Sequence, residues 1–212
     1  LNGLGQTFIS TEQTRTLNEN INIIICLKSL LEMWKEHLEI YYPEYQVIQY
    51  QKKNTPIPNN KKLVIIINYD LVWRRPELAN LENFTLILDE SSCIKNSKAK
   101  RTKFILNKLK PKNVILLSGT PVSGKYEELW TQCQLLGWNI SKTTYWDHYI
   151  KTKQIDVGGF PIKIVVGYKN VDRLKRKLRE HGAVFMKTDE VFDLPEQIHN
   201  TVRVKNTPEY RK

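Results

Sequence analysis

The stretch LILDESSCIKN, residues 86–96, decides how this chain folds. An apolar run at residues 84–88 passes directly into Asp89 and Glu90 and then into a basic turn. A strand that is apolar nearly throughout is one covered on both faces. In open α/β sheets the carboxyl ends of such strands carry the ligand. Two adjacent carboxylates there suit a division of labour against a bound triphosphate, Asp89 holding a hydrated Mg²⁺ and Glu90 orienting the attacking water. Taken alone, an acidic pair also marks a solvated turn or a helix start. The rest of the chain must choose between these readings.

Working outward, short β-branched runs at residues 21–26, 46–50, 63–67, 84–88 and 113–117 alternate with helical stretches. This rhythm predicts a mostly parallel sheet with helices on both faces. Thr102, Ile105, Leu106 and Leu109 recur at helical spacing, as do Tyr126, Leu129, Trp130 and Cys133, so each segment offers one apolar stripe to a core. DVGGFP at residues 156–161 reads as the turn of a hairpin, followed by a helix with Val171, Leu174 and Leu178 inside and Arg173, Lys175, Arg176, Lys177 and Arg179 outside. The expected organisation is a core over residues 1–150, a hairpin and basic-helix insertion over 151–182, and a last core strand with a linker over 183–212.

A chain of 212 residues with 41% hydrophobic content suffices for one large α/β core and a small appendage. The net charge of +11 favours a polyanionic partner. Eight lysines and arginines with no acid fall between Lys95 and Lys112, a run that is either a solvated helix face or a DNA contact. Cys26, Cys93 and Cys133 lie far apart with no CxxC, so neither a disulfide framework nor a zinc site is supported, and a reducing, cytoplasmic setting is expected. The apolar runs are far shorter than the roughly 20 residues of a membrane span, and no membrane association is expected.

Gly3-Leu4-Gly5-Gln6-Thr7 precedes a helical stretch beginning at Phe8. In a phosphate-binding loop the last glycine lets backbone N–H groups approach the phosphates, a lysine follows, and a Ser/Thr hydroxyl meets Mg²⁺. Every part is present except the lysine, whose place Gln6 takes. Five residues of this kind also make an ordinary glycine turn before a helix. Their place ahead of the first strand–helix alternation, with the acidic pair some eighty residues on, is the order found in nucleotide-binding α/β folds.

VILLSGTPVSGKYEELW, residues 114–130, resembles motif III of the SNF-type branch of superfamily two helicases, the DNA translocases that include chromatin remodellers. GLGQT resembles motif I, IIICLKSLLEMW at 23–34 motif Ia, IINYDL at 66–71 motif Ib, LILDESSCIKN motif II, and VFMKTDEVFDLP at 184–195 the segment leading out of the first lobe. The resemblance implies a RecA-like (P-loop NTPase) lobe that uses ATP and Mg²⁺, with phage or bacterial proteins as the expected source. It implies nucleotide contact by Gly3, Leu4, Gly5, Gln6 and Thr7, Mg²⁺ contact by Thr7 and Asp89, and hydrolysis by Asp89 and Glu90. Ser118, Gly119, Thr120 and Pro121 would couple nucleotide to DNA. Lys28, Ser29, Asn68 and Tyr69 would meet the phosphates of duplex DNA without regard to sequence. A second RecA-like lobe of the same parent chain is the expected protein partner.

The sequence departs from the family pattern at Gln6 and at Ser92, where relatives commonly carry histidine, and the chain ends before a second lobe with its arginine finger. Loss of an arginine finger alone costs a factor of about 10³ or more in rate. Negligible ATPase activity is therefore expected of these 212 residues, against DNA-stimulated turnover in a parent chain with lysine restored. The alternative is a degenerate lobe that binds DNA or a partner protein without turnover.

Overall fold

The computed structural model describes residues 5–53, 55–58, 62–119 and 125–185. Five parallel strands form one sheet in the order β2-β3-β1-β4-β5, with β1 at Ile21–Cys26, β2 at Gln46–Gln49, β3 at Leu63–Asn68, β4 at Phe84–Leu88 and β5 at Asn113–Leu116. The α/β class, the strand positions and the parallel sense are as the apolar runs predict. Strand side chains alternate between faces, and the packing follows that period. Ile23 and Ile25 join one buried cluster with Ile65, Ile67, Leu86 and Leu88, while Ile24 and Cys26 join the other with Val64, Ile66 and Ile87.

Helices cover both faces. On one side lie α1 (Gln6–Leu17) and α2 (Leu31–Tyr41), the latter burying Leu31, Trp34 and Leu38. The inner face of α1 is made of small hydroxyl residues, Ser10, Thr11 and Thr14, whose side chains bond back to carbonyls of the preceding turn. The other face carries the short α3 (Tyr69–Val72) and α4 (Lys100–Asn107), from which Tyr69, Val72 and Ile105 enter the first cluster. The apolar stripe expected around Thr102 and Ile105 is buried, and the lysines lie outside it.

A third cluster stands apart from the sheet. It is built by α5 (Trp130–Leu135), α6 (Lys142–Tyr149), the antiparallel hairpin of β6 (Ile150–Val157) and β7 (Phe160–Tyr168), and α7 (Val171–Glu180). Leu129, Cys133, Tyr145, Tyr149, Ile150, Leu174 and Leu178 are its buried members, so the hairpin and basic helix rest on residues from 129 onward. The expected last core strand falls mostly on residues 186–212, outside the described residues. No helix among the described residues is long and apolar enough to cross a membrane.

Candidate nucleotide site and its surroundings

All five strands run the same way, so the loops after β1, β3, β4 and β5 open on one edge of the sheet. Ligands of doubly wound sheets bind at that edge. The start of α1 lies at it too, where the Gln6 carboxamide meets the main-chain carbonyl of Ser118, 112 residues on, and donates to it at 3.4 Å. Gly5 caps α1 with φ 66°, a left-handed conformation that glycine adopts without a steric penalty. The first turn of α1 carries no acid, so its N–H groups present an undiluted positive end.

At the end of β4 the main chain is fastened from both neighbouring strands. Asp89 N–H donates to the Ile25 carbonyl at 2.9 Å, Ser91 N–H donates to the Leu117 carbonyl at 2.8 Å, and Leu117 N–H donates to the Leu88 carbonyl at 2.9 Å. Glu90 between them sits at φ 53°, a conformation a glutamate adopts only where its surroundings hold it. Asp89 and Glu90 are both half-buried. Ser91 Oγ donates to Gln132 Oε1 at 3.0 Å, tying the acidic turn to α5.

Two aromatic residues complete the enclosure. Trp34 Nε1 donates to Asp89 Oδ2 at 2.8 Å, and Tyr69 Oη donates to the main-chain carbonyl of Asp89 at 2.9 Å. Burial pushes the Tyr69 phenol up, with nearby Cys93 and Asp89 adding to it, so the hydroxyl stays a donor. Burial and then the Asp89 charge push the Cys26 thiol up to about 12, which keeps it protonated.

The sequence candidates thus fall into groups. Gly5, Gln6, Ser118, Asp89 and Glu90 share the same sheet edge; Gly3, Leu4, Thr120 and Pro121 lie outside the described residues. Lys28 and Ser29 follow β1 on an exposed turn. Asn68 and Tyr69 differ from a surface contact, being 6% and 2% exposed. Asn68 Oδ1 instead accepts from the N–H groups of Asp70 and Leu71, capping α3. The basic run is partly paired within the chain, through Lys95–Glu128, Arg101–Asp70 and Lys112–Glu19. Trp34 and Gln132 were not foreseen as site residues; a buried indole announces that it needs an acceptor without naming it.

The Thr7 hydroxyl and the Asp89 carboxylate both offer oxygen, the donor chemistry that Mg²⁺ takes beside phosphates, where one or two protein oxygens hold it together with phosphate and water. Among the described residues no cluster of three or more His, Cys, Asp or Glu suggests another metal.

The fold is a doubly wound, parallel α/β lobe whose strand ends gather Gly5, Gln6, Asp89, Glu90 and Ser118 at one edge. The SNF2-related domain matches residues 6–212, and the chain belongs to that family. It is 29% identical over 188 residues to a SWI/SNF-related matrix-associated actin-dependent regulator of chromatin subfamily A-like protein 1 homolog of Caenorhabditis elegans, covering 86% of this chain and 27% of that protein. It is 30% identical over 118 residues to the TATA-binding protein-associated factor mot1 of Aspergillus fumigatus, covering 52% of this chain and 6% of the relative. The chain therefore spans about a quarter or less of these relatives. They are eukaryotic and give no support to a phage or bacterial source. In structure the chain is similar to the Sulfolobus solfataricus SWI2/SNF2 ATPase core in complex with dsDNA, with TM-score 0.60 and 24% identity over 69% of this chain and 32% of that one.

Proposed function

We propose that this chain is the first RecA-like lobe of an ATP-dependent, DNA-stimulated translocase. The observation that carries the reading is the contact chain at one sheet edge: Gln6 to Ser118, Leu117 to Ser91, and Trp34 and Tyr69 to Asp89. It gathers the phosphate end of α1, the acidic turn and the turn after β5, elements separated by about a hundred residues, as phosphoryl transfer by positioning requires.

In this reading Gly5 and the start of α1 receive phosphate oxygens on main-chain N–H groups, and Thr7 and Asp89 hold Mg²⁺. The ion, when bound, neutralises charge between the β- and γ-phosphates. Glu90, held in its strained turn, orients the attacking water. Ser118 to Pro121 pass closure of the site to DNA. Lys28 and Ser29 touch the DNA backbone, and Asn68 and Tyr69 support that surface from beneath. The expected partners are duplex DNA, bound without sequence preference, and a second RecA-like lobe; the expected compartment is reducing, in keeping with three free cysteines.

Gln6 favours a second reading, a lobe that binds DNA or protein without turnover, because its neutral amide cannot offset triphosphate charge and is engaged by Ser118. Under either reading a polypeptide of these 212 residues has negligible ATPase activity. Nucleotide titration of the native chain against Gln6→Lys separates them: restored, Mg²⁺-dependent triphosphate binding supports the motor lobe, and no binding by either form refutes it.

A further inference from the structure

Trp34 has none of its surface exposed. It lies on α2, on the face that packs against β1 and β3. A buried indole N–H must find an acceptor. The one it finds is the side chain of Asp89, 55 residues further along the chain. At 2.8 Å this is the length of a charge-assisted bond. Trp130, by contrast, donates to a main-chain oxygen, that of Ile140, at 2.9 Å.

The main chain of Asp89 is already fixed by Ile25 and Tyr69. Its carboxylate is not, because the terminal torsion of an aspartate is broad and two-fold. Among the described residues Trp34 is the donor that pins it. The bond engages Oδ2 and leaves Oδ1 without a hydrogen bond from any described residue.

We propose that Trp34 is a positioning residue for the metal–nucleotide site, holding the Asp89 carboxylate in the orientation that receives metal-bound water. The proposal rests on the nucleotide reading above and adds to it a residue of α2, on the side of the sheet that also carries α1. Partners of this kind orient a metal-binding carboxylate, and their loss costs about 10- to 100-fold in metal affinity or activity.

The test measures binding of a fluorescent non-hydrolysable ATP analogue, mant-AMPPNP, in Mg²⁺ and in EDTA. It uses the Gln6→Lys chain carrying native Trp34, Trp34→Phe, or Trp130→Phe. Trp130→Phe is the control, since it removes a comparable indole bond from the third cluster. Trp34→Phe is expected to cut the gain in affinity due to Mg²⁺ by about tenfold and to leave affinity in EDTA within about twofold. A purely structural tryptophan would lower thermal stability and leave that gain intact, which would overturn the proposal. If the Gln6→Lys chain with native Trp34 binds no nucleotide in either condition, the nucleotide reading itself falls and takes this one with it.

A second measurement stands should Trp34→Phe fail to fold. The indole ¹H–¹⁵N resonance of Trp34 in the native 212-residue chain is expected to move upfield on Asp89→Asn, which keeps the side-chain shape and removes the anionic acceptor. An indole resonance that stays in place refutes the bond.

Discussion

Tyr69 donates its hydroxyl to the main-chain carbonyl of Asp89 at 2.9 Å and lies 3.4 Å from that of Glu90. The residue directly after β3 thereby braces the acidic turn after β4, two strands away across β1. Tyr69→Phe removes the donor and leaves buried carbonyl oxygen unsatisfied, so the expected loss is about 1–2 kcal/mol in denaturant unfolding. Its effect on DNA affinity is expected to be small. Lys28→Ala, on the exposed turn, should instead lower the slope of log K against log salt by about 1. The reverse pattern would make Tyr69 the contact and Lys28 a solvated lysine.

Gln6→Lys replaces a neutral donor with an ammonium at the phosphate end of α1. Hydrogen bonds to charged groups exceed neutral ones by about 1–1.5 kcal/mol, so triphosphate affinity should rise by roughly tenfold or more. Isothermal titration with ATP and Mg²⁺ measures it directly. The Gln6 amide bond to the Ser118 carbonyl is long, at 3.4 Å, and its loss should scarcely alter unfolding. A large drop in stability would mean that Gln6 serves the fold more than the ligand.

Ser91 and Gln132 form a buried pair joining the acidic turn to α5, and Gln132 Nε2 is buried with no partner among the described residues. Ser91→Ala should cost about 1–3 kcal/mol, because it leaves the amide oxygen unsatisfied as well. Gln132→Met, which keeps the volume and removes the polar atoms, should make the second change almost free. Denaturant unfolding of the two single variants and the double variant gives the coupling; additivity within about 0.3 kcal/mol would show that the pair does not interact.

The central strands were legible because they are mostly apolar on both faces, and β1, β3 and β4 lie within a residue of where the runs place them. The acidic turn was legible for the same reason, as the end of such a run. Periodicity could mark Trp34 as buried, but nothing local connects it to Asp89, since register and helix docking decide that meeting. Asn68 shows how one position carries two readings. Its place after a strand and before Tyr-Asp-Leu is that of a helix cap as much as a DNA contact, and the structure uses it as the cap. The aromatic third cluster was only partly visible. Its members are contributed by α5, α6, the hairpin and α7, none of which has a full apolar face of its own beyond two or three residues.

His37 stands between α1 and α2, near Thr11 Oγ1 at 3.4 Å and ringed by Phe8, Trp34, Tyr41 and Tyr42. Burial lowers its pKa below the usual value of 6.5, because the charged ring is poorly solvated there. The unfolded chain then binds the proton more readily than the folded one. The stabilising contribution is full above the unfolded pKa, near 6.5, and is lost as pH falls from there toward the lower folded value. Unfolding free energy of the native chain should therefore decline between about pH 7 and pH 5 through this group. His37→Phe, which fills the aromatic site without a titrating nitrogen, should flatten that part of the profile while carboxylate titration at lower pH persists. Equal slopes in the two proteins between those pH values would show that His37 does not titrate differently in the fold.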